Sequence, residues 1–194
     1  MVKYPQALVW VDIQTANLAE GNDFSGVYPL DIAVIVTDLS LEKLTGWQDQ
    51  VKLTKGSAQA ALSNEYVKEM HTKNGLLQEC KKSTVTADDI DEAIVNAIQE
   101  GTTFEPGEFL LAGSEVGTFE LPLIREKFPK LARLLAHYTF DIGNASRVTR
   151  ILNGGQPIVN ITGSKTKTYR AIDQVNADIL EAETYQDSFR RLGL

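Results

Sequence analysis

The sequence predicts a mixed-sheet α/β fold from two observations. Short apolar runs typical of buried strands alternate with longer stretches in which apolar residues recur with the helical period. The predicted order of elements is β-β-β-α-α-β-α-β-α-α, and three consecutive strands at the start indicate an antiparallel opening to the sheet. The chain has 194 residues, of which 43% are hydrophobic and 23% charged, so it is long enough to bury its own core. We therefore expect one globular domain over residues 1–194.

Three apolar runs predict the opening strands at residues 8–15, 28–38 and 51–53, the last following a turn around Thr45-Gly46. The first run meets the acidic residue Asp12 near its end, and a polar turn follows. Many α/β folds present a metal ligand in this way, at the end of a buried strand. An ordinary turn aspartate explains the same pattern, so this strand does not decide between the two interpretations.

Helical periodicity begins at residue 57 and predicts two helical pieces up to residue 80, broken near Asn74-Gly75. A clearer helix follows, with Thr86 as its N-cap, Asp88 and Asp89 in its first turn and Gly101 as its end. The remaining predictions are a strand at 109–112, a helix at 120–128, a short helix at 131–136, a strand at 138–142, a helix at 145–152 and a final amphipathic helix at 168–192.

The net charge and the cysteine content exclude several classes of function. A formal net charge of −7 opposes broad electrostatic capture of long nucleic acids, because such binding depends on neutralised phosphates. Small substrates, metal-bridged substrates and protein partners remain open. Cys80 is the only cysteine, which excludes an intrachain disulfide and a cysteine-based zinc site. The sequence lacks a secretory signal pattern and an apolar run of membrane-spanning length, so we expect a cytoplasmic protein without membrane contact.

Six strings give the chain a family resemblance. The chain resembles the oligoribonucleases, small homodimeric exonucleases of the DEDDh group, over nearly its whole length. The resemblance implies a ribonuclease H-like exonuclease fold, with a mixed sheet of about five strands flanked by helices, and a homodimer. The strings are LVWVDIQT at 8–15, LDIAVIVTD at 30–38, YVKEMHTKNGL at 66–76, LAGSEVG at 111–117, LAHY at 135–138 and YRAID at 169–173.

The resemblance also implies where the chemistry would lie. Family members hold two divalent metals with four carboxylates and use a histidine as general base. Asp12 matches the first carboxylate, but Gln14, Phe119 and Gln174 stand where the family has the other three. Tyr169 stands in place of the histidine. We therefore expect no bound cofactor, with weak Mg²⁺ or Mn²⁺ binding at Asp12 and Asp173 as the alternative.

Two substitutes for the missing groups can be considered. Tyr169 and Asp173 satisfy the Tyr-x-x-x-Asp spacing of related exonucleases. Glu115 or Glu120 could replace the missing second-motif acid. One position along a helix rotates a side chain by about 100°, so Glu120 should point away from where Phe119 points, which argues against that replacement.

The residues expected to contact a ligand also differ from the family. In the family, a serine and an arginine hold the terminal 5′-phosphate of the substrate. This chain has Glu115 and Thr139 at those two positions. A carboxylate repels a phosphate unless a cation lies between them. His71 matches a family histidine, with packing as the alternative role. Lys165 and Lys167 form a phosphate-contacting flap or a solvated loop. The candidate ligand-binding residues are Asp12, Gln14, Thr15, His71, Glu115, Tyr169, Asp173, Lys165 and Lys167.

Three functions are compatible with these residues. The leading hypothesis is a catalytically degenerate oligoribonuclease-like protein, a pseudoenzyme that binds or sequesters a small nucleotide or short oligonucleotide without cleaving it. The second is a protein-interaction or inhibitor module, whose acidic surface would suit a basic protein partner. The third is a 3′-5′ exoribonuclease with a rearranged metal site around Asp12, Tyr169 and Asp173.

Overall fold

A five-stranded mixed sheet forms the centre of the computed structural model, which describes residues 4–156 and 168–191. The strands are β1 (Ala7–Thr15), β2 (Pro29–Asp38), β3 (Lys43–Gln50), β4 (Phe109–Gly113) and β5 (Leu135–Asp141). Strand β1 lies antiparallel to β2 and parallel to β4; β2 and β3 are antiparallel, and β4 and β5 are parallel. The order across the sheet is β3-β2-β1-β4-β5, which confirms the predicted mixed sheet of about five strands.

Helices cover both faces of the sheet, so the alternating side chains of β1 enter two different cores. Among the described residues the helices are α1 (Lys55–Ser63), α2 (Glu65–Lys73), α3 (Leu76–Lys82), α4 (Ala87–Gly101), α5 (Glu120–Lys127), α6 (Pro129–Leu134), α7 (Ile142–Leu152) and α8 (Ala171–Arg191). Val9 and Val11 pack with α4, α5 and α6, whereas Leu8 and Trp10 pack with α7 and α8.

Three of the predicted elements are wrong in position. Strand β3 covers residues 43–50 and not 51–53, because it is an edge strand whose polar side chains alternate between more and less exposed positions. Asn64 divides the first predicted helical piece in two, since its side chain caps α2 by accepting N–H bonds from Tyr66 and Val67. Residues 135–136 belong to β5 and not to the preceding helix.

The predicted start of α4 is confirmed: Thr86 and Asp89 form a reciprocal capping box.

The parallel strands β1 and β4 separate at their carboxyl ends. Their pairing stops at Trp10 and Ala112, and the two strands then diverge. Such a divergence beyond the carboxyl ends of parallel strands is where α/β sheets place their sites, and Asp12 lies there. No helix within 4–156 or 168–191 is both long and apolar enough to cross a membrane.

Candidate active site

Asp12 is the centre of the candidate site. Because residues two apart on a strand face the same side, Gln14 lies next to it, and its Nε2 donates a hydrogen bond of 2.7 Å to Asp12 Oδ2. Burial raises the pKa of Asp12 to about 7, and the nearby Asp178 and Asp31 carboxylates add to the rise although the Gln14 hydrogen bond opposes it. The first acid of the family motif is therefore present. It is hydrogen-bonded by the Gln14 amide, which stands at the position of the family's second acid.

Phe119 and Glu120 diverge at the start of α5. The Phe119 ring packs edge-on against Phe24 at a centroid distance of 5.7 Å and contacts the apolar core. Glu120 is only 6% exposed and lines the same small cavity as Asp12. Burial, followed by the charge of Asp12, raises the pKa of Glu120 well above its usual value. The two side chains therefore point differently, but the conclusion that Glu120 is excluded from the site is wrong: the residue after Phe119 faces Asp12.

Asp178 is another buried acid at the site, and no sequence motif singled it out. Its carboxylate accepts hydrogen bonds from Ser114 N at 2.9 Å and Ser114 Oγ at 2.8 Å. Gln174, one turn earlier on α8, donates from Nε2 to Asp178 Oδ1 at 2.7 Å. Gln174 thus lies next to the site, as its register implied, and it binds a carboxylate instead of supplying one.

Tyr169 and Asp173 lie in different environments. The Tyr66 hydroxyl donates to the Tyr169 hydroxyl at 3.1 Å, and Asn74 Nδ2 donates to the Tyr169 carbonyl at 2.9 Å. Tyr169 has a φ of 53°, a left-handed conformation that costs energy for a residue with a Cβ. Asp173 is exposed on the first turn of α8 and lines neither cavity next to Asp12. The geometry gives no support to a Tyr-x-x-x-Asp pair acting together.

Asp12 separates two cavities, which we call the larger and the smaller cavity. The larger has a volume of about 560 Å³, and its lining includes Ser114, Glu115, Ser146, Arg147, Gln174 and Glu181. The smaller has a volume of about 260 Å³, and its lining includes Gln14, Thr15, Tyr66, Met70, Phe119 and Glu120. Both volumes are of the size of small-molecule sites or below it, so a short ligand fits better than a long strand.

Glu115 in the larger cavity is paired with Arg147, which no sequence motif singled out. Arg147, on α7, forms a salt bridge with the Glu115 carboxylate and also donates to Asn144 Oδ1 at 2.9 Å. Glu115 has a φ of 62°, and its backbone N–H is held by Asp141. The charge that would repel a ligand phosphate is therefore partly neutralised by a guanidinium.

His71 and Thr15 contact each other beneath the smaller cavity. The His71 side chain is fully buried, and its Nε2 lies 3.1 Å from the Thr15 carbonyl oxygen, so Nε2–H is the donor. Thr15 lines the smaller cavity, whereas His71 does not. This geometry favours the packing role for His71, and a ligand contact through it stays a prediction. Lys165 and Lys167 lie outside the described residues.

Asp31 and Arg170 fix the start of α8 beside this site. Asp31 Oδ2 accepts hydrogen bonds from Arg170 Nε and Ala171 N, each at 3.0 Å, and Gln50 donates to Oδ1 at 3.1 Å. The guanidinium also binds Glu79 through two hydrogen bonds, of 3.1 and 2.7 Å. This cluster joins α8, β2 and α3, and it holds the backbone of Tyr169 and Gln174 in place.

The residues present do not fit the two-metal centre that the resemblance implies. Gln14, Phe119 and Gln174 offer no carboxylate, and Asp173 lines neither of the cavities beside Asp12. Within residues 4–156 and 168–191, no three His, Cys, Asp or Glu side chains converge so as to hold a metal ion. We derive no step of a two-metal reaction from these residues.

The fold and an acidic pocket at the diverging strand ends define an exonuclease-type α/β domain. Its fold is shared with E. coli exonuclease I in complex with a dT13 oligonucleotide (TM-score 0.67, 14% identity, 96% of this chain) and with the exonuclease I of Methylocaldum szegediense (TM-score 0.63, 18% identity, 94% of this chain). The chain spans only 42% and 40% of those proteins, respectively. At these identities the likeness shows the fold alone.

Sequence comparison identifies the family. The chain is 30% identical over 183 residues to the oligoribonuclease of Mycobacterium avium, covering 92% of this chain and 79% of that protein. It is 24% identical over 185 residues to the oligoribonuclease of Klebsiella pneumoniae, covering 95% of this chain and 96% of that protein. No protein-family model matches the chain. The protein belongs to the oligoribonuclease family.

Proposed function

We propose that this protein binds a small nucleotide or short oligonucleotide without cleaving it. The proposal rests on what the replacement residues do. Gln14 and Gln174 each donate an amide hydrogen bond of 2.7 Å to a neighbouring carboxylate, to Asp12 and to Asp178. Amide donors thus satisfy oxygens that divalent cations would otherwise coordinate. Two cavities beside Asp12 leave space for a small ligand, which supports binding, and the amides argue against activation of a water molecule.

The proposal is tested by measuring binding and cleavage on the same sample. The full chain is titrated calorimetrically with a 5′-phosphorylated diribonucleotide in Mg²⁺, and the mixture is then analysed chromatographically for mononucleotides. We expect saturable binding and no mononucleotide. Failure of mono-, di- and cyclic dinucleotides alike to bind at high micromolar concentration would overturn the proposal.

Back-substitution sharpens the test. The double variant Gln14→Glu, Gln174→Asp restores two acids of the family pattern and should bind Mn²⁺ at least about tenfold more tightly, because affinity for hard cations follows the number of charged oxygens. Gln99→Glu, which changes the charge at an exposed position of α4, is the matched control and should behave like the wild type. If the wild type, the double variant and the control bind Mn²⁺ with equal affinity, the two amides do not reduce cation binding, and this support for the proposal fails.

A second candidate function is a 3′-5′ exoribonuclease with a rearranged site. One observation favours it: Asp12 and Glu120 line one cavity, and, after burial, the charge of Asp178 contributes to the raised pKa of each. Release of mononucleotides from the diribonucleotide in Mn²⁺, lost in Asp12→Ala, would establish this activity in place of the first proposal.

Three further expectations stay predictions. The family resemblance implies a homodimer, which sedimentation analysis of the full chain would test. The organisation of residues 1–194 as one domain and the cytoplasmic location are likewise expected from the sequence.

A further inference from the structure

The chain contains two Asn-Gly pairs, Asn74-Gly75 and Asn153-Gly154. An asparagine before glycine is chemically labile, because a glycine has no side chain to keep its backbone nitrogen away from the amide carbon of the asparagine. Asn74 is the C-cap of α2 and Asn153 that of α7, and the glycines that follow them have positive φ angles of 82° and 63°. The local sequence and the local backbone therefore do not distinguish the two pairs.

Tertiary contacts hold the side chain of Asn74. Its Nδ2 donates hydrogen bonds to the carbonyl oxygens of Thr168 and Tyr169, at 3.0 and 2.9 Å, and its Oδ1 accepts one from Leu76 N at 3.1 Å. Asn74 and Gly75 are both partly buried. The amide carbon of Asn74 can turn toward the nitrogen of Gly75 only when the bonds that connect the end of α2 to the segment before α8 are broken.

The surroundings of Asn153 are open. Residues 151–156 are all exposed. The Asn153 amide donates to the carbonyl oxygen of Gln156, which is itself exposed, at 3.2 Å. The Gly154 N–H donates to the Ile151 carbonyl oxygen over 3.3 Å, a distance beyond the usual range for such a bond. Reaction at Asn153 therefore requires the loss of local, solvent-exposed contacts alone.

We propose that Asn153 is a site of spontaneous covalent modification, in which its amide becomes a carboxylate, and that the fold protects Asn74 from the same reaction. The Gly154 nitrogen loses its proton and forms a bond to Cγ of Asn153. The Cγ–Nδ2 bond then breaks, and the amide nitrogen takes up a proton and leaves as ammonia. Water opens the resulting succinimide ring at one of its two carbonyl carbons, which gives aspartate or isoaspartate. Water is the one co-reactant, and no electrons are transferred.

The product changes the end of α7. A negative charge at the C-terminal end of a helix is unfavourable, because the carbonyl groups there already carry partial negative charge. Isoaspartate also adds a methylene group to the backbone between two N–H donors, those of Asn153 and Gly155, which bind Thr149 O and Arg150 O at 3.0 and 2.9 Å. Because α7 also carries Arg147, which lines the larger cavity, the modification affects an element of the candidate site.

The test follows both asparagines in the full chain during incubation in mildly alkaline buffer, which favours the deprotonated backbone nitrogen. The digested samples are quantified by liquid chromatography and mass spectrometry, with the chain unfolded in urea as the reference. In the folded chain we expect Asn153 to react at least about tenfold faster than Asn74, whose three hydrogen bonds must first open. In urea the two should react at similar rates, since glycine follows each.

Asn153→Gln is the matched variant, because the longer glutamine side chain closes the corresponding ring much more slowly. Isoelectric focusing of the aged wild type should show an acidic form that the aged variant lacks. Neither Asn-Gly pair lines a cavity beside Asp12, so the result does not depend on nucleotide binding.

Three outcomes would overturn the proposal. Equal rates at the two sites of the folded chain, or no product at Asn153, would contradict the selective reaction. A preference for Asn153 that persists unchanged in urea would assign the difference to the local sequence and contradict the protection by the fold. An acidic form that persists in aged Asn153→Gln would place the modification at another residue.

Discussion

Asp31 and Asp12 lie on neighbouring antiparallel strands, and the protein treats them in opposite ways. Asp31 accepts hydrogen bonds from a guanidinium, a backbone N–H at the start of α8 and the Gln50 amide. Asp12 accepts one from Gln14, and its charged neighbours Asp178 and Asp31 are acids. An aspartate thus joins structural elements at position 31, whereas the aspartate two residues along the sheet, Asp12, has no cationic partner among the described residues.

The contrast shows where stability and binding capacity reside. A fully satisfied buried ion pair holds elements together but has no capacity left for a ligand. Buried acids without a cation lower the stability of the protein when no ligand is bound. A cation or a ligand that binds them can relieve this cost, and such perturbed acids are common at functional sites. If this is correct, removing charge should have opposite effects on stability in the two regions.

Arg170→Ala should give the largest change. It removes the cation from Asp31 and Glu79 and leaves a buried carboxylate, so we expect the free energy of unfolding to fall by about 3 kcal/mol. Urea unfolding followed by circular dichroism measures this. Lys130→Ala, which breaks the exposed pair with Glu92, is the control and should change stability by less than about 0.5 kcal/mol. Similar small losses in both variants would contradict the anchoring role of Arg170.

Glu120→Gln should have the opposite sign. In EDTA at neutral pH it removes an acid whose pKa burial raises, so that folding no longer forces this group to carry a buried charge or to take up a proton. We therefore expect a gain of roughly 1–2 kcal/mol in the free energy of unfolding. The lost interaction of a carboxylate with the first turn of α5 opposes this gain by about 0.5 kcal/mol, which is too little to reverse it. Urea unfolding beside the exposed control Glu126→Gln measures the effect. A loss of stability would mean that Glu120 is paired within the fold.

The parts of the fold that the sequence predicted are those with strong local signals. Strand β1 is a continuous buried run, and α4 carries both a capping box and a terminal glycine. Strand β3 was not predicted because an edge strand can be polar. What makes it a strand is its antiparallel pairing with β2, and its own residues carry no apolar pattern that would indicate this.

The candidate site was predicted only where it lies on family strings. Asp12 and Gln14 lie on the first string and Gln174 directly follows the last one, and the structure places all three in the lining of the cavities. Glu120 and Asp178 were missed as site residues because the burial of an acid depends on tertiary packing. One signal was available for Asp178: it occupies a position of the buried stripe of α8 that otherwise carries Val175 and Ala182, one turn after Gln174.

His71 offers the smallest test of the same contrast, since it is a buried titratable group on which the charge of Asp31 acts. Burial lowers its pKa from the usual 6.5, although the Thr15 hydrogen bond and the Asp31 charge act in the opposite direction. Below that pH the unfolded chain binds a proton that the folded chain does not, so this contribution to stability is lost as the pH falls through 6.5.

His71→Gln keeps a donor for the Thr15 carbonyl but does not titrate. Between about pH 7.5 and about pH 5.5, the wild type should therefore lose about 1 kcal/mol more unfolding free energy than His71→Gln does. Urea unfolding at several pH values measures the difference, and His137→Gln, at an exposed position, should follow the wild type. Parallel pH profiles for the wild type and His71→Gln would show that His71 accepts a proton in the fold, which would make it available to a ligand phosphate and revive its predicted binding role.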